Sequence, residues 1–198
     1  MVHMDNETGK RVGIADKSGR DKGYELVLDR MRRLCSRREY CASDIRQKVL
    51  RLLQSGNVSI SAETDADEFA ESVISSLVSD SYLSDLRYSI AFARDKSSLS
   101  GWGATKIRYA LAAKGIDSET ISSALAEIDA DKASDRLAKL LAVKYKSLIS
   151  SAGRSSFPAL DDASAAYQLR QKLVRFALGR GYSYDDISSA IDALMKGR

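Results

Sequence analysis

Few side chains in this sequence have reactive potential. Cys35 and Cys41 are its two cysteines and His3 its single histidine. No Cys/His zinc set can be assembled from them, and two thiols are too few for a disulfide framework; both are expected to be reduced and structural. Glu63, Asp65, Asp67, Glu68 and Glu71 lie close together and could in principle hold magnesium, but helix N-termini favour acids in any case. No phosphate-cradling GxxxxGK or GxGxxG segment occurs, nor any nucleophile elbow. Without a usable histidine, acyl transfer and metal hydrolysis lose their customary parts. The expectation is a protein with no catalytic residues, no cofactor and no metal, working by recognition.

Recognition chemistry is carried by arginines. Ile45-Arg46, Ile107-Arg108 and Leu169-Arg170 each place an apolar residue before an arginine, and the arginines recur at intervals of 62 residues. Arginine offers a planar fork suited to phosphate or carboxylate. A residue beside a buried apolar position lies at the edge of the buried face, so Arg46, Arg108 and Arg170 should occupy equivalent edges of three modules. They either face a partner or bond a helix end or an acid within the array. Lys48, Arg51, Lys106, Lys114, Lys172 and Arg175 extend the basic faces of the same helices, either as binding groups or as solvated charges. Trp102, between Gly101 and Gly103, is either an exposed stacking residue or a core residue beneath a turn. An Ile-Ser-Ser triplet also recurs, at Ile74-Ser75-Ser76, Ile121-Ser122-Ser123 and Ile187-Ser188-Ser189. Such periods mark an array, which offers an extended surface rather than one reactive pocket.

The formal charge is only +4, but its distribution is uneven. Arg30 to Arg51 contains eight Arg/Lys against Glu39 and Asp44, whereas Ala62 to Asp85 holds seven Asp/Glu and no Arg/Lys. Stacked modules would align the basic helices into a stripe for phosphates or an acidic protein, or would pair the blocks as salt bridges between neighbours. No stretch approaches ~18 consecutive apolar residues, and the first 23 residues lack the apolar core of a signal peptide. Neither membrane insertion nor secretion is expected, and a cytoplasmic location follows.

The elements that must position these groups read as helices throughout. Residues 1–22 have almost no periodic apolar content and are expected to form a flexible tail. From Tyr24 the helical period takes hold, with Leu26, Val27, Met31 and Leu34 on one face. Ser43 is placed to cap a second helix carrying Ile45, Val49, Leu52 and Leu53, and Gly56 to stop it. A third runs from about Asp65 with Phe69, Val73, Ile74, Leu77 and Val78 inward. The cycle restarts at Ser84-Asp85, breaks at Gly101-Trp102-Gly103, resumes from Ala104 to Lys114, and continues from the cap Asp117. Leu137, Leu140, Leu141 and Val143 open the last cycle, followed by a loop over residues 150–161 and the Arg170 helix. Ser183 with Asp186 resembles a capping box for the final helix, although Glu or Gln belongs at the second position. No segment alternates with period two long enough to form a sheet. The expected fold is all-α, a tandem array of three three-helix modules (23–83, 84–130 and 131–198) that is elongated and curved. Stacking offsets the low burial available to each small unit.

These residues also match a family. Tyr82-Leu83-Ser84-Asp85, Arg87-Tyr88, Gly101-Trp102-Gly103, Lys106-Ile107-Arg108, Leu111 and Lys114-Gly115-Ile116 resemble the central signature of the RecX regulatory proteins. Ser36-Arg37-Arg38-Glu39-Tyr40 with Asp44 to Leu50 resembles that family's first module, and Arg175-Phe176, Gly179 to Tyr182 and Asp185-Asp186-Ile187 its third. The resemblance implies tandem three-helix modules and a monomeric, non-enzymatic partner of the RecA recombinase. Such a protein lies along the groove of the RecA nucleoprotein filament and restrains its ATPase and strand exchange, in DNA recombination, repair and the SOS response, with some direct DNA binding. An extended basic surface suits a helical partner because many weak sites add through effective concentration. Two alternatives stand beside this one: a direct DNA-binding helical repeat, and a scaffold for another acidic protein. Members commonly carry basic residues before the Gly/aromatic/Gly turn, and several a proline after it. Here Ser97 to Ser100 precede the turn and Ala104 follows it, leaving Lys96 and Lys106 as its nearest cations.

Overall fold

A computed structural model describes residues 17–56, 58, 64–152 and 163–196. Among these residues there are nine helices and no strands: α1 (Lys17–Cys35), α2 (Ala42–Gln54), α3 (Ala66–Ser79), α4 (Asp85–Ser98), α5 (Ala104–Ala112), α6 (Ser118–Ala126), α7 (Ala130–Ala152), α8 (Ala163–Leu178) and α9 (Tyr184–Lys196). The fold is all-α. The expected tail falls largely on residues 1–16, outside the described residues, and α1 opens at Lys17. The 150–161 loop likewise falls mostly outside them, with α7 running to Ala152. The chain divides into two compact units, one of residues up to Arg37 with Ile45–Tyr82, the other of Arg38–Asp44 with Leu83 onward.

In the first unit, α1 lies against α3. Val27, Leu28, Met31 and Cys35 are buried on α1, as are Phe69, Ala70, Val73, Ile74 and Leu77 on α3. Both sets follow the 3.6-residue period. Leu26 and Val78 are instead exposed, because each is one residue out of phase with the buried stripe. Tyr24 fastens the pair. Its ring meets Phe69 edge-on at 5.7 Å, and its hydroxyl donates to Ser72 O at 3.1 Å and lies 2.8 Å from Ser76 Oγ. Arg32 and Asp80 close the other end at 2.5 Å.

The second unit holds two three-helix groups, α4–α6 and α7–α9, each packed pairwise. The first is built on Ala93, Ile107, Leu111, Ile116 and Ile121, with Cys41 from the 38–44 segment inserted among them. The second is built on Leu137, Leu141, Tyr145, Leu169, Leu173, Val174, Ala177, Tyr182, Ile187 and Ile191. Val143 is 69% exposed, since the α7 stripe descends through Leu137, Leu141 and Tyr145 and leaves Val143 on the opposite face.

Helix ends follow their capping chemistry with two departures. Asp65, Ser84 and Asp117 accept hydrogen bonds from the first free amides of α3, α4 and α6. Ser43 does not cap α2. That helix begins one residue earlier, at Ala42, whose amide donates to Asp85 Oδ1 at 2.8 Å. At α9, Ser183 Oγ accepts from the Asp186 amide at 3.1 Å, but the Asp186 carboxylate accepts from the Ser183 hydroxyl at 2.6 Å rather than from a backbone amide. Aspartate is one methylene too short for the reciprocal half of a capping box. Asp117 is held below the usual carboxylate range, first by its hydrogen bond from the Thr120 amide. A depressed pKa contributes stability that is present above the unfolded value and lost as pH falls through the folded one. Asp117→Asn, which caps without a charge, is therefore expected to flatten the acid limb of the unfolding profile between about pH 5 and pH 2. Melting temperatures across that range check it.

Candidate functional site

Arg46, Arg108 and Arg170 do the same structural task in three places: each reaches from the middle helix of its group to the next helix. Arg46 on α2 bonds Asp67 at 2.8 Å and pairs with Glu71, both on α3. Arg108 on α5 meets Ser122 Oγ on α6 at 3.4 Å. Arg170 on α8 bonds Asp192 at 2.5 Å and Ser188 Oγ at 2.9 Å, both on α9. The Ile-Ser-Ser triplets explain two of these partners, because Ser122 and Ser188 are each the middle residue. Ile121 and Ile187 stand four residues after their N-caps Asp117 and Ser183, whereas Ile74 stands nine after Asp65. The first triplet is thus out of register, and acids take the serine's place there.

Lys114 is also paired. Its ammonium bonds both Asp44 oxygens, at 2.8 and 3.0 Å, and lies 5.6 Å from the centre of the Tyr88 ring. With Glu39–Arg87 at 3.0 Å and the Asp85–Ala42 bond, it fastens the 38–44 segment to α4 and α5. Burial works to lower the Lys114 pKa, but the hydrogen bond its ammonium donates to Asp44 and nearby negative charge outweigh it, so the value is raised. A raised lysine contributes stability in full below its unfolded value and loses it as pH rises through the folded one. The melting temperature of Lys114→Met is therefore expected to lie below that of the unsubstituted chain near pH 8 and to converge with it above about pH 11; a gap constant with pH refutes this. Burial pushes the Cys41 thiol up, keeping it protonated. Cys35 and Cys41 are both buried, and neither is in a disulfide.

The Gly101-Trp102-Gly103 turn is a joint. The Gly103 amide donates to Arg180 O at 2.8 Å and the Thr105 amide to Gly181 O at 3.1 Å. The free amides at the start of α5 thereby satisfy carbonyls just past the end of α8, joining opposite helix-end partial charges. The backbones approach so closely that a Cβ on Gly103 would stand 2.3 Å from Gly181 O. Trp102 is half-buried, edge-on to Phe92 at 6.4 Å and packed on the α4–α6 core. Lys96 and Lys106 hold their ammonium groups 5.1 and 4.6 Å from the Trp102 ring centre. Trp102, Lys96 and Lys106 therefore form one cation-aromatic cluster at the joint.

The remaining candidates gather in two places. Lys48 and Arg51 line a groove of about 480 Å³ in the first unit, with Arg30 beside them and Met31, Leu34 and Leu52 as its apolar floor. Lys172 and Arg175 lie on α8, where Arg175 is exposed. Sequence reading did not single out Arg136 and Arg180, which tie α7–α9 to α4. Arg136 donates to the buried Ser97 hydroxyl at 2.8 Å, and Arg180 to Ser100 O at 3.0 Å. The Arg180 signal was present in Gly179-Arg180-Gly181-Tyr182, whereas Arg136 carries none beyond its place in a basic block. Among the described residues no cluster of His, Cys, Asp or Glu is disposed to hold a metal, and no helix is long and apolar enough to cross a membrane.

Residues 84–125 match the family model for the second three-helix domain of RecX, and residues 160–191 the model for its third. Regulatory protein RecX of Salmonella arizonae is 29% identical over 174 residues, covering 88% of this chain and 95% of that protein. The namesake from Clostridium perfringens is 33% identical over 112 residues, 57% of this chain and 47% of the relative; that from Clostridium tetani is 30% identical, covering 63% and 52%. The chain thus spans about half the length of these clostridial relatives. The crystal structure of RecX from Lactobacillus salivarius shares its fold, with a TM-score of 0.60 at 20% identity over 89% of this chain and 96% of that one. A second crystal structure, of regulatory protein RecX, gives 0.64 at 20% identity over 88% and 72%. Taken with the three-helix groups, these matches show the chain to be similar to the RecX regulatory proteins, with α4–α6 and the region of α8 and α9 corresponding to their second and third three-helix domains.

Proposed function

We propose that this chain is a non-enzymatic cytoplasmic regulator that occupies the RecA nucleoprotein filament and slows its ATP hydrolysis and strand exchange. The observation that carries this reading is the match of both α4–α6 and the region of α8 and α9 to successive RecX domains. The joint adds physical support. A pair of modules fastened backbone to backbone presents its cations at fixed spacing, so binding a repeating partner costs little ordering entropy. Substoichiometric protein is expected to slow the single-strand-dependent ATPase of the cognate recombinase. Unchanged rates with a sample shown to be folded would overturn the reading.

A second reading, direct DNA binding, is favoured by the Lys96–Trp102–Lys106 cluster. Two cations beside one partly exposed indole suit a phosphate next to a stacked base. Binding to naked single strands should then fall steeply with salt and weaken on Trp102→Ala. Equal affinity for naked DNA and for the filament at physiological salt would favour this reading over the first.

A further inference from the structure

A groove of about 490 Å³ lies between the C-terminal end of α4 and the outer face of α7. Arg136, Lys139 and Arg180 line it, and no acid does. Two of these cations are already held in place. Arg136 is anchored by Ser97, and its Nε is buried with no hydrogen-bond partner. Arg180 is anchored by Ser100 O and lies 4.8 Å from the centre of the Phe176 ring. Lys139 is exposed. Three like charges around one groove repel, and an anion would relieve that repulsion. The walls are apolar. Leu99 is 82% exposed and Val143 69% exposed, on opposite sides of the cleft. Nothing in the helical packing calls for them: Leu99 sits at the end of α4, and Val143 faces away from the core of its own helix.

We infer that this groove is a docking site for an acidic peptide segment of a protein partner, with a carboxylate at Arg136 and Lys139 and an adjacent large apolar side chain between Leu99 and Val143. The volume lies within the range of ligand clefts, about 300–1,000 Å³. A guanidinium fixed beforehand, as that of Arg136 is, binds a carboxylate with little further loss of freedom. Nucleic acid would satisfy the cations but leave both apolar walls exposed to water, so charge and apolarity together select a protein ligand. The inference stands apart from the recombinase reading, because it concerns a groove whose lining includes none of the residues assigned above to filament or DNA binding.

The test uses the full chain and a fluorescein-labelled acidic decapeptide with a central Leu-Phe pair. Controls are the same peptide with Ser-Ser at its centre and a ten-nucleotide thymidine strand. Anisotropy is expected to give micromolar binding of the first peptide, weakened roughly tenfold by the Ser-Ser change, by Leu99→Asp and by Lys139→Glu. Leu99 and Lys139 are exposed, so both variants should keep the helical circular dichroism and melting temperature of the unsubstituted chain. Failure of the peptide to bind at about 1 mM, or equal binding of the two peptides, overturns the inference. So does thymidine-strand binding that Lys139→Glu weakens and Leu99→Asp does not, since that pattern marks a phosphate site.

Discussion

Gly103→Ala is expected to destabilise the second unit by about 3 kcal/mol or more and to loosen α4–α6 from α7–α9. The cost is steric. Gly103 has φ −82°, which any residue adopts, so no torsional preference is violated. What the added methyl meets is backbone, with Gly181 O at 2.3 Å and Tyr182 N at 2.5 Å. Backbone cannot rotate aside as a side chain can, so relief requires separating the helices and stretching the bonds from Gly103 N and Thr105 N. Gly115→Ala is the torsional counterpart. Its φ is +78° with nothing within 4 Å of the added Cβ, so the cost should be about 1 kcal/mol. Gly181 combines the two, with φ +85° and a Cβ that would stand 2.4 Å from Lys106 N, so Gly181→Ala should exceed both. Urea unfolding of the three variants measures the order, and a Gly103→Ala midpoint close to that of Gly115→Ala would sink the steric account.

That joint shows what sequence alone conveys and what it does not. The Gly-Trp-Gly turn was legible as a helix break because glycine and local periodicity are local signals. Its function as a joint was not, since Gly181 lies far along the chain and no local pattern records which backbones touch. Core positions were readable wherever the apolar stripe was unbroken, as at Ile45, Val49 and Leu52. Leu26, Val78 and Val143 are apolar but stand beside the stripe and face solvent, a distinction that composition does not carry. Val143 is also the residue that gives the groove an apolar wall. The groove stayed invisible for a related reason: Leu99, Arg136, Lys139 and Arg180 come from three segments, and each taken singly is an unremarkable surface residue. Paired charges posed the opposite difficulty. Lys114 looked like one more cation on a basic helix, while its partner Asp44 lies 70 residues away.

The three arginines at equal spacing should respond unequally to charge reversal. Arg170 has a side chain 29% exposed and bonds two groups on α9. Glutamate there would lose both bonds and face Asp192, so Arg170→Glu should cost about 2 kcal/mol and lower the melting temperature by roughly 5 °C. Arg46 is 36% exposed and faces two carboxylates, both themselves more than half exposed. Water screens part of the repulsion, and Arg46→Glu should cost between about 1 and 2 kcal/mol. Arg108 is exposed and, among the described residues, hydrogen-bonds the Ser122 hydroxyl alone, at 3.4 Å. Its reversal meets no carboxylate among its hydrogen-bond and ion-pair partners, so Arg108→Glu should stay within about 0.5 kcal/mol of the unsubstituted chain. Arg108 is therefore the one member of the set whose reversal can weaken partner binding while the fold stays intact. Filament binding lost in Arg108→Glu at an unchanged melting temperature would assign that arginine to the partner. Binding retained in Arg108→Glu but lost in Arg170→Glu would mean the spacing serves the modules' own architecture.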